Sequence, residues 1–218
     1  MCGIVGFIDF KNDTSREELE NMTHVLTHRG PDAHGHENIE LTNCQLGLGH
    51  RRLSIIDLSE GGKQPMQYGD YWICFNGEVY NYNEIKSELL DLGHQFKSSS
   101  DTEVVLHAYS EWGSKCLDKL IGMFAFAIVH AKSKRFFFAR DRAGVKPFYY
   151  YIKDGLFLFS SELKSFHQHK RFAKKINKSS VAAFMQYGNV PTPHCIFENC
   201  FKLKPGHYLE GSLESELK

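Results

Sequence analysis

Two pairs of β-rich runs constrain this chain more than any other feature. FAFAIVH (124–130) and RFFFARD (135–141) flank Ala131-Lys132-Ser133-Lys134, and PFYYYI (147–152) and GLFLFSSE (155–162) meet across Lys153-Asp154. Aromatic and β-branched runs bounded by such turns read as hairpins. Residues 3–10, GIVGFIDF, are apolar enough for a strand buried on both faces. Another strand is expected over 46–57, LGLGHRRLSIID, where consecutive Arg51 and Arg52 point to opposite faces. Residues 71–80, YWICFNGEVY, read as two short strands broken at Asn76-Gly77, a strong hairpin-turn dipeptide.

Helices separate these groups. Ser15-x-x-Glu18 fits a capping box, and Leu19, Met22, Val25 and Leu26 follow at helical spacing, so a helix is expected over 15–27. His28-Arg29-Gly30-Pro31-Asp32 is turn-rich, and Pro31 excludes helix. A helix over 83–92 stops at Gly93, and one from Asp101, with Asp101 as its N-cap, stops at Gly113. A short helix is expected around 114–121, and a last one over 179–187 before Gly188. Hairpins grouped with helices between them indicate an α+β fold with antiparallel sheets.

The 218 residues are 42% hydrophobic and 24% charged with zero net charge, enough for a sizeable core and unlike a nucleic-acid or membrane-surface binder. No apolar run approaches the ~20 residues that span a bilayer. No basic segment followed by an apolar one opens the chain, and the six cysteines are not densely spaced. A cytoplasmic protein with reduced thiols is expected. The basic stretch 164–178 reads as a solvated face, with a partner interface as the other reading. The 12 histidines invite a metal site, yet H-E-x-x-H and C-x-x-C are both lacking, as are phosphate-binding glycine loops and a G-x-S-x-G elbow.

The remaining chemical lead is the start, Met1-Cys2-Gly3-Ile4-Val5-Gly6-Phe7. Cys is small enough for removal of Met1, which would leave a thiol and a free α-amine on one residue. The thiolate is the nucleophile. An α-amine with a pKa of about 7.7–8.0 can take the thiol proton, as N-terminal nucleophiles do. The alternative is that Cys2 is a small buried hydrophobe beginning an edge strand.

Read together, the opening hexapeptide, HRGPD (28–32) with Gly35, HRRLSIID (50–57), QP (64–65), FNGEVYN (75–81), SDTEV (100–104), GMFAFAI (122–128), RDRAGVKPFYY (140–150) and SSELK (160–164) resemble one family in their order. It is the glutaminase domain of glutamine-hydrolysing asparagine synthetase, a class II amidotransferase of the N-terminal-nucleophile kind. The resemblance implies a four-layer αββα sandwich, two antiparallel sheets between helices. It implies that Cys2 attacks the side-chain amide of L-glutamine, with its α-amine as base, and that the Asn76 side chain and Gly77 N–H form the oxyanion hole. Arg52 would bind the α-carboxylate and Asp101 the α-ammonium, with Arg51 structural. Leu53, Ser54, Ile55, Ile56 and Glu78 would complete the surroundings of glutamine.

The resemblance divides the chain into a glutaminase domain over 2–190 and a loop-rich segment over 191–218 leading toward an ATP-pyrophosphatase synthetase domain. The Ser-Gly-Gly-x-Asp-Ser loop of that domain does not occur in these residues. Cofactors are therefore expected to be none here, with ATP and Mg confined to the synthetase domain. The expected partners are L-glutamine, that domain in cis or in trans, and a second copy in a homodimer. Two alternatives stand beside this reading: ammonia delivery to a sugar or other carboxylate, and a catalytically silent glutamine-binding or scaffold module.

Overall fold

Strand β1 (Gly3–Asp9) alternates its side chains, with Ile4 and Ile8 on one face and Val5 and Phe7 on the other, all buried. A strand buried on both faces needs a layer on each side. The structure, a computed structural model, describes residues 1–54 and 60–215. Helix α1 (Arg16–His24) follows β1 behind the expected capping box: Ser15 Oγ accepts from the Glu18 N–H at 3.2 Å, and Glu18 Oε2 from the Ser15 N–H at 2.9 Å. The chain continues through β2 (Ala33–Glu40), β3 (Gln45–Arg52), β4 (Met66–Tyr68) and β5 (Tyr71–Val79). Then come α2 (Tyr82–Asp91), α3 (Asp101–Trp112), α4 (Cys116–Lys119), β6 (Gly122–His130) and β7 (Arg135–Arg140). The rest is β8 (Tyr149–Lys153), β9 (Leu156–Ser160), α5 (Lys178–Tyr187), β10 (Cys200–Lys202) and β11 (Tyr208–Ser212).

One sheet has the order β10-β8-β9-β1-β3-β2 and the other β11-β7-β6-β5-β4, with every pairing antiparallel. Their facing sides interdigitate: Ile4, Ile8, Leu46, Leu48 and Phe159 from the first meet Cys74, Ala125, Ala127 and Phe138 from the second. Behind the first sheet, Val5, Phe7 and Leu158 pack on Leu19, Met22 and Leu26 of the α1 region. Behind the second, Phe75, Phe124 and Phe126 pack on Ile85 and Leu89 of α2 and Val104, Val105 and Ala108 of α3. The layers run helix, sheet, sheet, helix. The last stretch adds an edge strand to each sheet, β10 beside β8 and β11 beside β7.

Three expectations change. Asn76-Gly77 is not a turn: β5 runs unbroken through it, in register with β6 from Tyr71↔His130 to Val79↔Gly122. The intrinsic reluctance of Asn and Gly to sit in a strand is worth at most about 1 kcal/mol. Burying Ile73, Phe75 and Val79 contributes roughly 1.5–3 kcal/mol each, so pairing and packing win. Gly77 serves another purpose, since a Cβ there would stand 2.4 Å from Met123 O. The N-cap of α3 is Ser100, whose side chain accepts from the Thr102 N–H, so Asp101 is the first helical residue, and its Oδ2 accepts from the Val79 N–H at 3.0 Å. Strand β2 carries no apolar alternation and is visible only through its pairing with β3. Residues 55–57 of the strand expected over 46–57 lie outside the described residues, and β3 ends at Arg52.

The basic stretch 164–178 is largely paired across the fold. Arg171 meets Asp9 at 2.6 Å, Lys170 meets Asp13 at 2.9 Å and Lys175 meets Glu198 at 2.9 Å. Among the described residues, no helix is long and apolar enough to cross a membrane.

Candidate active site

Where β1 begins, the two sheets leave a cavity of about 150 Å³. Cys2 enters it from the first sheet, with Arg52 and Leu53 from the end of β3. Asn76, Gly77 and Glu78 enter from β5 of the second sheet, and Asp101 from the first turn of α3. Asn76 reaches it because it follows Cys74 at a spacing of two and so shares the face turned toward the first sheet. Arg51 and Arg52 separate as alternation requires. Arg51 turns toward α1, donates to Gly30 O at 3.0 Å and lines a different cavity.

The Cys2 Sγ sits against Leu53, accepting from its N–H at 3.4 Å and lying 3.6 Å from its carbonyl oxygen. Burial pushes the thiol above its ordinary value; the Leu53 N–H and the charge of Arg52 oppose this and Asp101 adds to it. A thiol raised in this way needs a base to react. Arg29, of the HRGPD motif, fixes the backbone of Cys2 by donating from Nε to Cys2 O at 2.9 Å. Glu162, of the SSELK motif, orients Arg29 through Nη1 at 2.9 Å.

The edge of β5 supplies the donors. Backbone N–H groups on one side of a strand recur every second residue. The Phe75 N–H donates to Gln64 Oε1 at 2.6 Å and the Val79 N–H to Asp101 Oδ2 at 3.0 Å, both away from β6. The Gly77 N–H falls between them on the same edge, toward the cavity. Beside it, the buried Asn76 Nδ2 has no hydrogen-bond partner among the described residues. Below, His50 donates from Nε2 to Phe75 O at 3.1 Å, joining the sheets next to Asn76. Burial pushes this imidazole down to about 4, so it is neutral at neutral pH.

Asp101 is 5% exposed, and its carboxyl is pushed up to about 6, chiefly by burial, with Glu78 acting the same way. An adjacent cation would restore its ionised form. Ser54 is not among the cavity's lining residues; its N–H donates to Asp32 Oδ2 at 2.8 Å. Ile55 and Ile56 lie outside the described residues. No group of three metal-ligating side chains occurs among the described residues. Arg29, Gln64 and Lys146, which lie within the quoted motifs, carry no local signal of their place here; only the tertiary structure assigns it.

A cysteine thiol at the head of a central strand thus faces strand-edge N–H donors across an αββα sandwich. Comparison with solved structures agrees at the level of fold. The glutamine phosphoribosylpyrophosphate amidotransferase of Bacillus subtilis superimposes with a TM-score of 0.64 at 20% identity, over 76% of this chain and 43% of that one. The family model described as a glutamine amidotransferase domain matches residues 1–216, and the chain belongs to that family. Among curated relatives, asparagine synthetase [glutamine-hydrolyzing] 3 of Bacillus subtilis is 41% identical over 97% of this chain and 35% of its own length. Asparagine synthetase [glutamine-hydrolyzing] 1 of the same organism is 39% identical over 94% of this chain and 33% of its own. The chain thus spans about a third of the length of these relatives and corresponds to their amidotransferase part.

Proposed function

We propose that this chain, once Met1 is removed, hydrolyses L-glutamine to L-glutamate and ammonia through a thioester on Cys2. The observation that carries the reading is the Asn76 side-chain amide. It is a buried donor without a partner among the described residues, opening on the cavity that holds the thiol. Buried donors are almost always paired, and one left unpaired beside a nucleophile suits an oxygen that becomes anionic during reaction.

In this reading the glutamine α-carboxylate meets Arg52, whose planar fork suits a carboxylate. The α-ammonium meets Asp101 and Glu78. The α-amine of Cys2 takes the thiol proton while sulfur bonds to the side-chain amide carbon, and the oxygen is held by Asn76 Nδ2 and the Gly77 N–H. As the C–N bond breaks, that proton passes to the departing ammonia. A water then gives one proton to the amine and adds to the thioester, releasing glutamate, and the proton returns to sulfur. No step needs a metal or cofactor, so ATP and Mg belong to the synthetase reaction. The relatives' names favour asparagine synthesis as the use of the ammonia; an ATP-pyrophosphatase domain as its recipient, in a cytoplasmic enzyme, is proposed from the family resemblance. A homodimer remains part of the proposal through the family resemblance alone.

The test is intact-mass spectrometry after incubation with 6-diazo-5-oxo-L-norleucine, a glutamine analogue that alkylates such nucleophiles. The expected result is loss of Met1 and a single adduct mapped to Cys2. A Met1-free chain that takes up no label would sink the reading.

The pH dependence follows from Asp101. Below about pH 6 this carboxyl is protonated and cannot pair with the α-ammonium. Glutamine affinity, measured by calorimetry on a Cys2→Ala chain to avoid turnover, is expected to fall by up to about tenfold per pH unit below 6. An Asp101→Asn chain should bind weakly with a flat profile. The stability effect has the opposite sign: the folded state holds this proton more tightly than the unfolded state, so stability from this group is lost as pH rises through about 6.

A further inference from the structure

Beyond the residues given roles above, the cavity holds the ammonium of Lys146, a residue only 4% exposed. The loop between β7 and β8 is built around this residue. The buried Asp141 carboxylate accepts from the N–H groups of Ala143, Val145 and Lys146 at 3.1, 2.9 and 3.0 Å. Arg140 holds the loop's carbonyls, donating to Gly144 O and Lys146 O at 2.7 Å each. The backbone of Lys146 is therefore fixed while its side chain reaches inward. Its Nζ ends 3.3 Å from Met1 Sδ, a weak acceptor, and no described carboxylate lies within ion-pair distance of it. A buried ammonium left without a carboxylate is costly, and a lysine placed for stability would have one.

The charged and titratable groups that act on Lys146 are Arg29, Cys2, Glu78 and Asp141, and the N-terminal amine, Arg52 and Asp101 act on Cys2. Burial and then Arg29 draw the ammonium below its ordinary range, against Cys2, Glu78 and Asp141.

We propose that Lys146 is a positioning residue of the hydrolysis. Its ammonium fills the place beside Cys2 that Met1 leaves, and the charge keeps the α-amine of Cys2 free of a proton and ready as base. The proposal rests on the glutaminase reading above. A neighbouring cation disfavours the ammonium form of an amine and favours a thiolate. Lys146 acts through Cys2 and keeps its own protons throughout; the transferred proton still runs from thiol to α-amine to ammonia.

The test compares pH profiles of kcat/KM for glutamine hydrolysis by the Met1-free full chain, as wild type, Lys146→Met and Lys146→Arg, with a thermal melt of each. In Lys146→Met the acid limb should move up by about one pH unit, an about tenfold loss at pH 7 that is recovered by pH 9. Lys146→Arg should keep the wild-type limb. The pH profile of iodoacetamide alkylation at Cys2, read by mass, should shift in the same direction without any turnover. Should Lys146→Met melt early, Lys146→Gln serves for the same comparison. A neutral variant that melts like wild type with an unmoved limb overturns the proposal, as does a loss equal at every pH. Wild type that releases no glutamate, while Cys2 alkylation still responds to Lys146, would overturn the glutaminase reading and leave the charge effect standing.

Discussion

A Cys2→Ala chain is expected to release glutamate at least about 10⁴-fold more slowly than the Met1-free wild type, because loss of a covalent nucleophile leaves only binding and the oxyanion site. Alanine is as small as cysteine, so Met1 is still removed and the α-amine is preserved. The sulfur's hydrogen-bond contacts among the described residues are to Leu53 at the cavity wall, so the melting temperature should barely change. Label from 6-diazo-5-oxo-L-norleucine should vanish with the sulfur. Cys44, Cys74, Cys116, Cys195 and Cys200 are at most 2% exposed. Burial also pushes the Cys44 and Cys116 thiols up to about 11 and 12. Glutamate release within tenfold of wild type would mean that the chemistry lies elsewhere.

For Asn76→Ala the expected loss is about 10²–10³-fold in kcat, the scale of one oxyanion donor, with KM nearly unchanged. The split is the informative part. An amide that engages the oxygen only as it becomes anionic contributes to the transition state and little to the ground state. Since Asn76 Nδ2 has no partner to abandon, removing it should cost no stability and can raise the melting temperature. A structural asparagine would show the reverse, a lower melting temperature with kcat and KM largely kept. Steady-state kinetics and a thermal melt on the same preparation separate the two cases.

What was legible in the sequence is what is settled locally. The capping box at Ser15 and Glu18, the hairpin at Ala131–Lys134 and the stops at Gly93, Gly113 and Gly188 involve partners a few residues apart. Asn76-Gly77 was misread because its conformation is decided by β6, about fifty residues further on, and by the helices behind Phe75. Strand β2 is an edge strand of polar residues, with no apolar stripe to betray it. Local sequence allows Asp101 as a cap, while the family resemblance makes it a ligand; the serine before it, which does the capping, looks equally ordinary in a row of three. The site differs again. Cys2, Arg52, Asn76, Gly77 and Asp101 were brought together by family resemblance, since no spacing in the sequence relates them. Arg29 and Lys146 stood inside quoted motifs, and their relation to Cys2 depends on the packing of distant loops.

In the proposed reaction the Cys2 thiol belongs to one sheet and the Asn76 and Gly77 donors to the other, so no single loop sets the distance between them. Stacked sheets sit about 10 Å apart, by an amount fixed by the side chains between them. Here the spacers include Ile4 and Ile8 against Cys74, Ala125 and Ala127. Under the proposed function, the thickness of the hydrophobic core thereby helps to set the catalytic geometry. A methyl group added at Ala125 would wedge the sheets apart and lengthen the gap that the reacting carbon must bridge, though it touches no substrate. Under that reading, a substitution in this core is expected to change turnover as well as stability.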